Sequence, residues 1–384
     1  AGDLYSVRER ARIQGWLSSV WGVAAVVGPT LGGAFAEYAS WRWIFLINLP
    51  IGAVAIALIA KFLHEQAQHH RHRIDFAGAG LMLIAGSALI FALLQGGQAW
   101  PWLSAPSVAI FAVAAILIGA TVWIERRAAE PIMPGWLWRQ RVLSGTNLAM
   151  VCMGAVMMGP NTYLPTFAQS VLGLGAIAAG LVLASMSVGW PFASSLSGRL
   201  YLRIGFRDTA LGGAVLVVAA TVGFLLLPLE DSVWPLVLDQ IVLGAGFGLL
   251  STPLLVGVQS TVTWRNRGVA TSANIFSRYL GQSLGAAVVG AIFNSAIASE
   301  LMHAPSGLRT HLPQDINGVI GALHGRQLTG AADHYLRSAI YTATHHVYVG
   351  LAAVAVITLA IVLLTPKHFP SADERAESTT AFEK

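Results

Sequence analysis

Ten continuous apolar runs, most of them about twenty residues long, constrain this chain of 384 residues more than any other feature. A helix rises about 1.5 Å per residue, so a run of that length crosses the roughly 30 Å hydrocarbon layer of a membrane. The residues are 55% hydrophobic and 11% charged, against roughly 25% charged in soluble domains. The runs do not alternate as the strands of a membrane barrel do. The sequence therefore predicts an all-α polytopic membrane protein.

The predicted spans cover residues 14–36, 43–62, 75–96, 105–124, 143–168, 174–195, 208–228, 234–257, 269–297 and 344–365. Basic residues cluster in every second loop, namely Arg8, Arg10, Arg12, Lys61, Arg71, Arg73, Arg126, Arg127, Arg139, Arg141, Arg199, Arg203, Arg207, Arg265 and Arg267. The positive-inside rule places these loops, and with an even number of spans both ends of the chain, in the cytoplasm. A long polar loop on the opposite side, residues 298–343, is expected to be a poorly ordered external segment.

A glycine-rich motif, GPTLGG, lies inside the first apolar run and precedes the segment WRWIFLINLPIG at 41–52. Small residues let helix backbones approach closely, and proline weakens a helix locally. A helix surface that is both close-packing and deformable suits a part that moves. The motif residues are Gly22, Gly28, Pro29, Gly32 and Gly33.

The chain matches itself weakly between its first and ninth spans. Gly28 and Gly32 align with Gly281 and Gly285, and the basic residue before each span, Arg12 or Arg265, falls in the same register. Parallel repeats of this kind relate the two halves of many transporters. Chance remains the alternative, because apolar helices that are rich in glycine and alanine match easily.

These two motifs closely resemble the fifth and sixth helices of the major facilitator superfamily, specifically the fourteen-helix drug:proton antiporter branch. The resemblance implies that residues 1–62 hold the last two helices of an N-terminal six-helix bundle and that 63–141 form a two-helix insertion. Residues 142–365 would form the C-terminal bundle, including the loop 298–343, with a cytoplasmic tail at 366–384. The chain would then be N-terminally truncated, with ten of fourteen helices.

The resemblance implies a bacterial inner-membrane transporter, not an enzyme, that exports amphipathic drugs by alternating access. It implies no cofactor beyond a proton gradient, and the family usually works as a monomer. The expected partners are a small amphipathic substrate and the lipid bilayer, with a periplasmic adaptor as a further candidate and no nucleic acid. Three alternatives stay open: an inactive fragment, an exporter of an endogenous metabolite, and, remotely, a membrane enzyme using His345, His346 and Asp333.

A second stretch, SGRLYLRIGFRD at 197–208, resembles the family's cytoplasmic loop signature. A basic turn with glycines could hold helix ends or carboxylates as the two bundles close, although an ordinary positive-inside loop would look similar. The usual acidic residue is not evident, because position 202 is leucine. The matching residues are Gly198, Arg199, Arg203, Gly205 and Arg207.

Ionisable and aromatic residues within the spans supply the substrate or coupling candidates. Arg278 lies near the middle of the ninth span, with Asn274 and Gln282 one turn away on the same face. A charge there costs several kcal/mol unless it is paired, so it is a functional candidate by default. The remaining candidates are Asp239 and an aromatic and polar wall of Tyr163, Phe167, Gln169 and Trp190, for which helix packing is the alternative. No metal site is expected from the histidines.

Overall fold

A computed structural model describes residues 42–62, 75–96, 100–128, 131–227, 232–309, 312–313, 316–324 and 330–370, with isolated positions before residue 41. Within these parts the chain holds nine helices that are long and apolar enough to cross a membrane, and it holds no named strand. The all-α prediction is therefore confirmed. Most of the predicted span 14–36 lies outside the described residues, as do Gly22, Pro29, Gly32 and Gly33. Gly28 is described as helical and exposed.

The helices follow one another with short connections, and we number them in chain order. They are α1 Trp43–Leu46, α2 Asn48–Phe62, α3 Phe76–Gln95, α4 Ala105–Glu125, α5 Trp136–Arg139, α6 Arg141–Ser170, α7 Ala176–Ala184, α8 Met186–Ile204, α9 Phe206–Leu225, α10 Val233–Thr261, α11 Trp264–Met302, α12 Ser306–Arg309, α13 Ile316–His324 and α14 Ala331–Leu364. The membrane-length helices coincide with the predicted apolar runs to within a few residues at most ends, and α7 and α8 together form one candidate span.

Helices α6 to α11 and α14 form one bundle. Helix α6 packs against α11 and α14, α10 packs against α8 and α9, and α9 also packs against α14. Buried side chains concentrate in two large clusters, one around Phe167, Phe224 and Tyr348 and one around Met153 and Phe247. We call the end of the bundle that carries α13 the α13 end and the opposite end, where α14 terminates, the Phe369 end. Helix α2, by contrast, has no buried residue.

The described residues of the predicted external loop are largely helical, so the loop between the helices is shorter than expected there. Helix α11 continues to Met302, α14 begins at Ala331, and α13 lies between them with Val319 and Leu323 buried. The expectation of a poorly ordered segment over 298–343 is therefore wrong for the described residues. Hydropathy does not predict these helix ends because their residues are polar. They are helical nevertheless, because their polar groups form hydrogen bonds with one another.

Three hydrogen bonds illustrate how the α13 end is held. Arg337 donates from Nε to Asp333 Oδ2 at 2.7 Å and from Nη1 to the carbonyl oxygen of Ser170 at 2.9 Å. The Tyr335 hydroxyl donates to the carbonyl oxygen of Glu300 at 2.6 Å. Each bond joins α14 to another part of the chain or to a neighbouring turn of α14 itself. Polar residues for which the sequence predicts a loop therefore stabilise the ends of helices.

The segment after α14 folds back onto the Phe369 end. Phe369 is 7% exposed, and its ring centroid lies 5.6 Å from that of Phe206, which in turn stacks on Tyr201 at 4.9 Å. Gly257 of α10 lies beside the Phe369 ring, where a side chain would collide. Within the predicted tail, Phe369 is therefore part of the bundle core, whereas residues 371–384 lie outside the described part of the chain.

We expect Phe369→Ala to lower the stability of the bundle by about 3 kcal/mol, because the substitution leaves a cavity between α8, α9 and α10. Thermal unfolding of the purified protein in detergent measures the effect. The matched control is Leu364→Ala, since Leu364 is 84% exposed and lipid replaces it at little cost. Equal unfolding temperatures for the two variants would show that the segment after α14 contributes nothing to stability.

Candidate functional site

Helices α6 and α11 run side by side with their backbones almost in contact. A Cβ atom built on Gly281 would overlap the carbonyl oxygen of Val151, and one on Gly285 would lie 3.0 Å from the Cβ of Ala155. Gly154 on α6 faces the α11 backbone at Arg278 in the same way. We call this contact the α6–α11 seam. The Gly-x3-Gly pair of the sequence repeat thus packs inside a single bundle, because only glycine leaves room for the neighbouring backbone.

Polar side chains follow the same seam. Asn274 and Asn147 are both 1% exposed, and the Asn274 amide donates to Asn147 Oδ1 at 3.5 Å. Two turns further along α11, the Gln282 amide lies 3.3 Å from the Met157 sulfur. Arg278 lies between these two contacts on α11. The predicted grouping of Asn274, Arg278 and Gln282 is therefore present, and its partner is α6.

Arg278 holds a charge in the middle of a membrane-length helix. Its guanidinium carbon lies 5.2 Å from the ring centroid of Tyr279, and its Nε atom is buried without a hydrogen-bond partner. Among the described residues, no carboxylate forms an ion pair with it. An intramembrane arginine without a counter-ion is costly, by roughly 3 kcal/mol or more. Such a residue is expected where a bound molecule supplies the missing interaction.

The predicted aromatic and polar wall does not form one surface. Tyr163 lies on the seam, where its ring stacks on Phe293 of α11 at 4.2 Å between centroids. Phe167 is 2% exposed, with its ring centroid 5.3 Å from that of Phe224. Helix packing places the Phe167 ring in the core of the bundle, and its assignment to a substrate-facing wall stays a prediction. Gln169 is partly buried near the α13 end of α6.

Two more candidates lie elsewhere in the bundle. Trp190 of α8 packs against Phe247 of α10 at 5.5 Å between ring centroids. Asp239 lies near the start of α10 and accepts a hydrogen bond from the Gln240 amide at 2.9 Å. The structure thus places the other candidates apart from the α6–α11 seam, with Trp190 at the α8–α10 contact and Asp239 at the α13 end of α10.

The loop signature joins α8 to α9 at the Phe369 end. Gly205 has φ +91°, a left-handed conformation that favours glycine, and it allows one helix to end directly before the next. Gly198 is buried, whereas Arg199 and Arg203 are exposed. Arg207 Nε lies 3.8 Å from Asp208 Oδ1.

An acidic residue, Asp208, lies at the end of the loop signature, next to Arg207. Its other oxygen lies 3.7 Å from Lys367 Nζ, so the carboxylate links the α8–α9 turn to the segment after α14. A signal was available, because acidic residues are favoured in the first turn of a helix, where α9 places Asp208. Among the described residues no cluster of His, Cys, Asp and Glu could hold a metal ion.

This architecture is also found in known proteins that the chain is similar to. The family model described as Major Facilitator Superfamily matches residues 1–286. The multidrug transporter protein MdtP of Bacillus subtilis is 33% identical over 297 residues, covering 77% of this chain and 54% of that protein. Multidrug resistance protein 3 of the same organism is 30% identical, covering 80% of this chain and 60% of the relative. An uncharacterized MFS-type transporter of Mycobacterium tuberculosis, Rv1877, is 34% identical, and the match covers 86% of this chain and 50% of that protein.

The chain therefore spans about half to three-fifths of the length of these relatives. Among solved structures, it is similar to a bacterial homolog of the human lysosomal transporter Spinster in an inward-facing and occupied conformation. The two share 16% sequence identity with a TM-score of 0.51, and the match covers 94% of this chain and 84% of the other. At that identity the likeness supports the fold alone.

Proposed function

The chain belongs to the major facilitator superfamily, and we propose that it is part of a proton-driven exporter of amphipathic small molecules. It is a multi-pass membrane protein whose family and named relatives are transporters rather than enzymes. The observation that carries the proposal is Arg278, a charge without a carboxylate partner among the described residues, held in the middle of a tightly packed span. The multidrug names of two relatives favour amphipathic cargo.

Alternating access is the mechanism that we propose. The bundle from α6 to α14 is packed backbone against backbone at several glycines, so we expect it to move as one body. Helices α1 and α2 would belong to the opposing bundle, and the α3–α4 pair would be the insertion between the two halves. The unburied faces of α2 favour this division, because a helix without buried residues leaves a surface for partners. Rocking of one bundle against the other would then expose a midplane site alternately to each side.

We further propose the fourteen-helix branch, with four spans preceding this chain in the complete protein, and a bacterial inner membrane as its location. The basic residues of the α8–α9 turn and of the start of α11 both lie at the Phe369 end. Because basic loops stay in the cytoplasm, that end would face inward and the α13 end outward. Arg199, Arg203 and Arg265 are exposed there, as interaction with anionic lipid requires.

The test is accumulation of a fluorescent amphipathic cation in an efflux-deficient bacterium. Cells carry the chain alone or the chain preceded by the upstream part of its gene, each with and without a protonophore. We expect only the longer protein to lower accumulation and the protonophore to abolish the effect. Lowered accumulation that resists the protonophore would contradict proton coupling. An unchanged level for both neutral and cationic amphipaths would contradict the multidrug assignment and favour an endogenous metabolite as cargo.

A further inference from the structure

A cluster of buried polar side chains lies at the α13 end, where α9, α10 and α14 meet. It is separate from the α8–α9 turn, the α6–α11 seam and the predicted aromatic wall. It consists of Asp239, Gln240 and Tyr348, which we call the Asp239 cluster. Gln240 and Tyr348 are both 0% exposed, and the Tyr348 hydroxyl has the Gln240 side chain as its polar neighbour. Buried polar groups are nearly always paired, so these two side chains and Asp239 form one polar site within the apolar bundle.

The three side chains are arranged around one another. The Gln240 amide donates to Asp239 Oδ2 at 2.9 Å, and the Tyr348 hydroxyl lies beside both of these α10 side chains. Phe224 of α9 stacks on Tyr348 with 3.5 Å between ring centroids and closes the cluster from the side. Across α9, a Cβ on Gly223 would lie 3.4 Å from Asp239 Oδ1, so glycine leaves the carboxylate room.

We propose that the Asp239 cluster binds a proton that is exchanged during transport. The proposal rests on the proposed proton-driven function and names a site for it within this chain. Among the described residues no Lys, Arg or His forms an ion pair with Asp239. A carboxylate in an apolar span without a counter-ion is costly, and a bound proton removes its charge. The cluster therefore favours an occupant that is small and positively charged.

The chemistry of the cluster suits both protonation states. When Asp239 is ionised, the amide of Gln240 donates to it, as the structure has it. When Asp239 is protonated, the same carboxamide can turn its oxygen to accept the acid O–H, since one side chain offers both a donor and an acceptor. The Tyr348 hydroxyl can donate to whichever oxygen remains. A proton can thus bind and leave without a permanently unsatisfied group.

The other titratable groups that face this region come from α14. His345, one turn before Tyr348, has Nδ1 at 3.0 Å from the Tyr341 carbonyl oxygen, and its ring also interacts with the Leu227 carbonyl oxygen, so it is held by backbone acceptors. The Tyr341 hydroxyl is engaged with the Leu227 carbonyl oxygen at 2.9 Å. From α9 and α6, the rings of Phe224 and Phe167 pack at this place, and Ser185, between α7 and α8, donates to the Val237 carbonyl oxygen of α10; none of these side chains titrates.

Other charged residues at this end lie on other helix faces. Arg337 is paired with Asp333 at 2.7 Å, both on α14, and the backbone carbonyl of Glu300 on α11 accepts a hydrogen bond from Tyr335. These groups hold α14 against its neighbours, so Asp239 is the carboxyl group to which the proposal assigns the proton.

The test is pH-dependent infrared difference spectroscopy of the purified complete protein, which detects the C=O stretch of a protonated carboxyl. We expect a titrating carboxyl band that Asp239→Asn removes and that the control Asp208→Asn retains. Tyr348→Phe deletes one hydroxyl only, and we expect it to move the titration midpoint of the band by about one pH unit. This second variant also keeps the proposal testable if Asp239→Asn fails to fold.

Two results would overturn the assignment. A band that persists in Asp239→Asn would place the titrating carboxyl elsewhere, and a band that responds to sodium at fixed pH would make the cluster a sodium site. Because the spectrum needs no transport, it separates this proposal from the proposed function. The two proposals can thus fail separately. If the band is lost in Asp239→Asn but export resists a protonophore, Asp239 is a proton-binding site and export is not proton-driven.

Discussion

Gly281→Ala is expected to destabilise the bundle by about 3 kcal/mol and to abolish transport. A methyl group at this position overlaps the carbonyl oxygen of Val151, and because the obstacle is backbone, α6 and α11 must move apart to admit it. Overpacking of a close contact typically costs about 1–3 kcal/mol, and more where nothing flexible can yield. Thermal unfolding in detergent and drug accumulation in cells measure the two effects.

Gly268→Ala is the matched control on the same helix. A Cβ at Gly268 meets no atom within 4 Å, and alanine is favoured over glycine in a helix by about 1 kcal/mol. The two substitutions are chemically identical, yet we expect them to change stability in opposite directions. If Gly281→Ala left both unfolding temperature and accumulation unchanged, the close approach of α6 and α11 would be refuted.

Arg278→Ala is expected to reduce export by about tenfold to a hundredfold without loss of membrane insertion or stability. The range corresponds to the loss of one interaction with a charged group, about 1.5–3 kcal/mol. Stability should hold or rise, because an intramembrane charge without a counter-ion among the described residues is a cost to folding. Opposite effects on function and stability are typical of a residue retained for function.

The control is Arg265→Ala, which removes the same charge from the exposed start of the same helix. Export rates at equal protein level, together with unfolding temperatures, compare the two variants. An equal loss of export in both would indicate a general requirement for positive charge, and a strong loss of stability in Arg278→Ala alone would make Arg278 a structural tie.

The spans were predictable because their signal is local. The run 105–124 became Ala105–Glu125 and the run 43–62 became Trp43–Phe62, since apolar length is matched to the thickness of the membrane. The prediction was wrong where helices leave the apolar layer. The polarity of Arg337 and Asp333 predicts a loop, yet both residues lie in α14 and form an ion pair there. A polar helix end is stable when its charged side chains have partners.

Candidate residues were predictable by type but not by neighbourhood. Arg278 was found because a charge inside an apolar run is visible in the sequence alone. The burial of Phe167 was not visible, because it depends on α9 and α14 reaching the same place. The contact of Asp208 with Lys367 was not visible for the same reason, since Lys367 lies at the far end of the chain.

The sequence by itself determined that this chain crosses a membrane repeatedly as helices, and it identified the glycines that let helices approach, because hydropathy and residue size are properties of each segment. Only the tertiary structure decided which helices meet. It placed Gly281 and Gly285 against α6 and brought Tyr348 beside Asp239. Those pairings depend on contacts between backbones that are distant in the chain, and local patterns carry no information about such contacts.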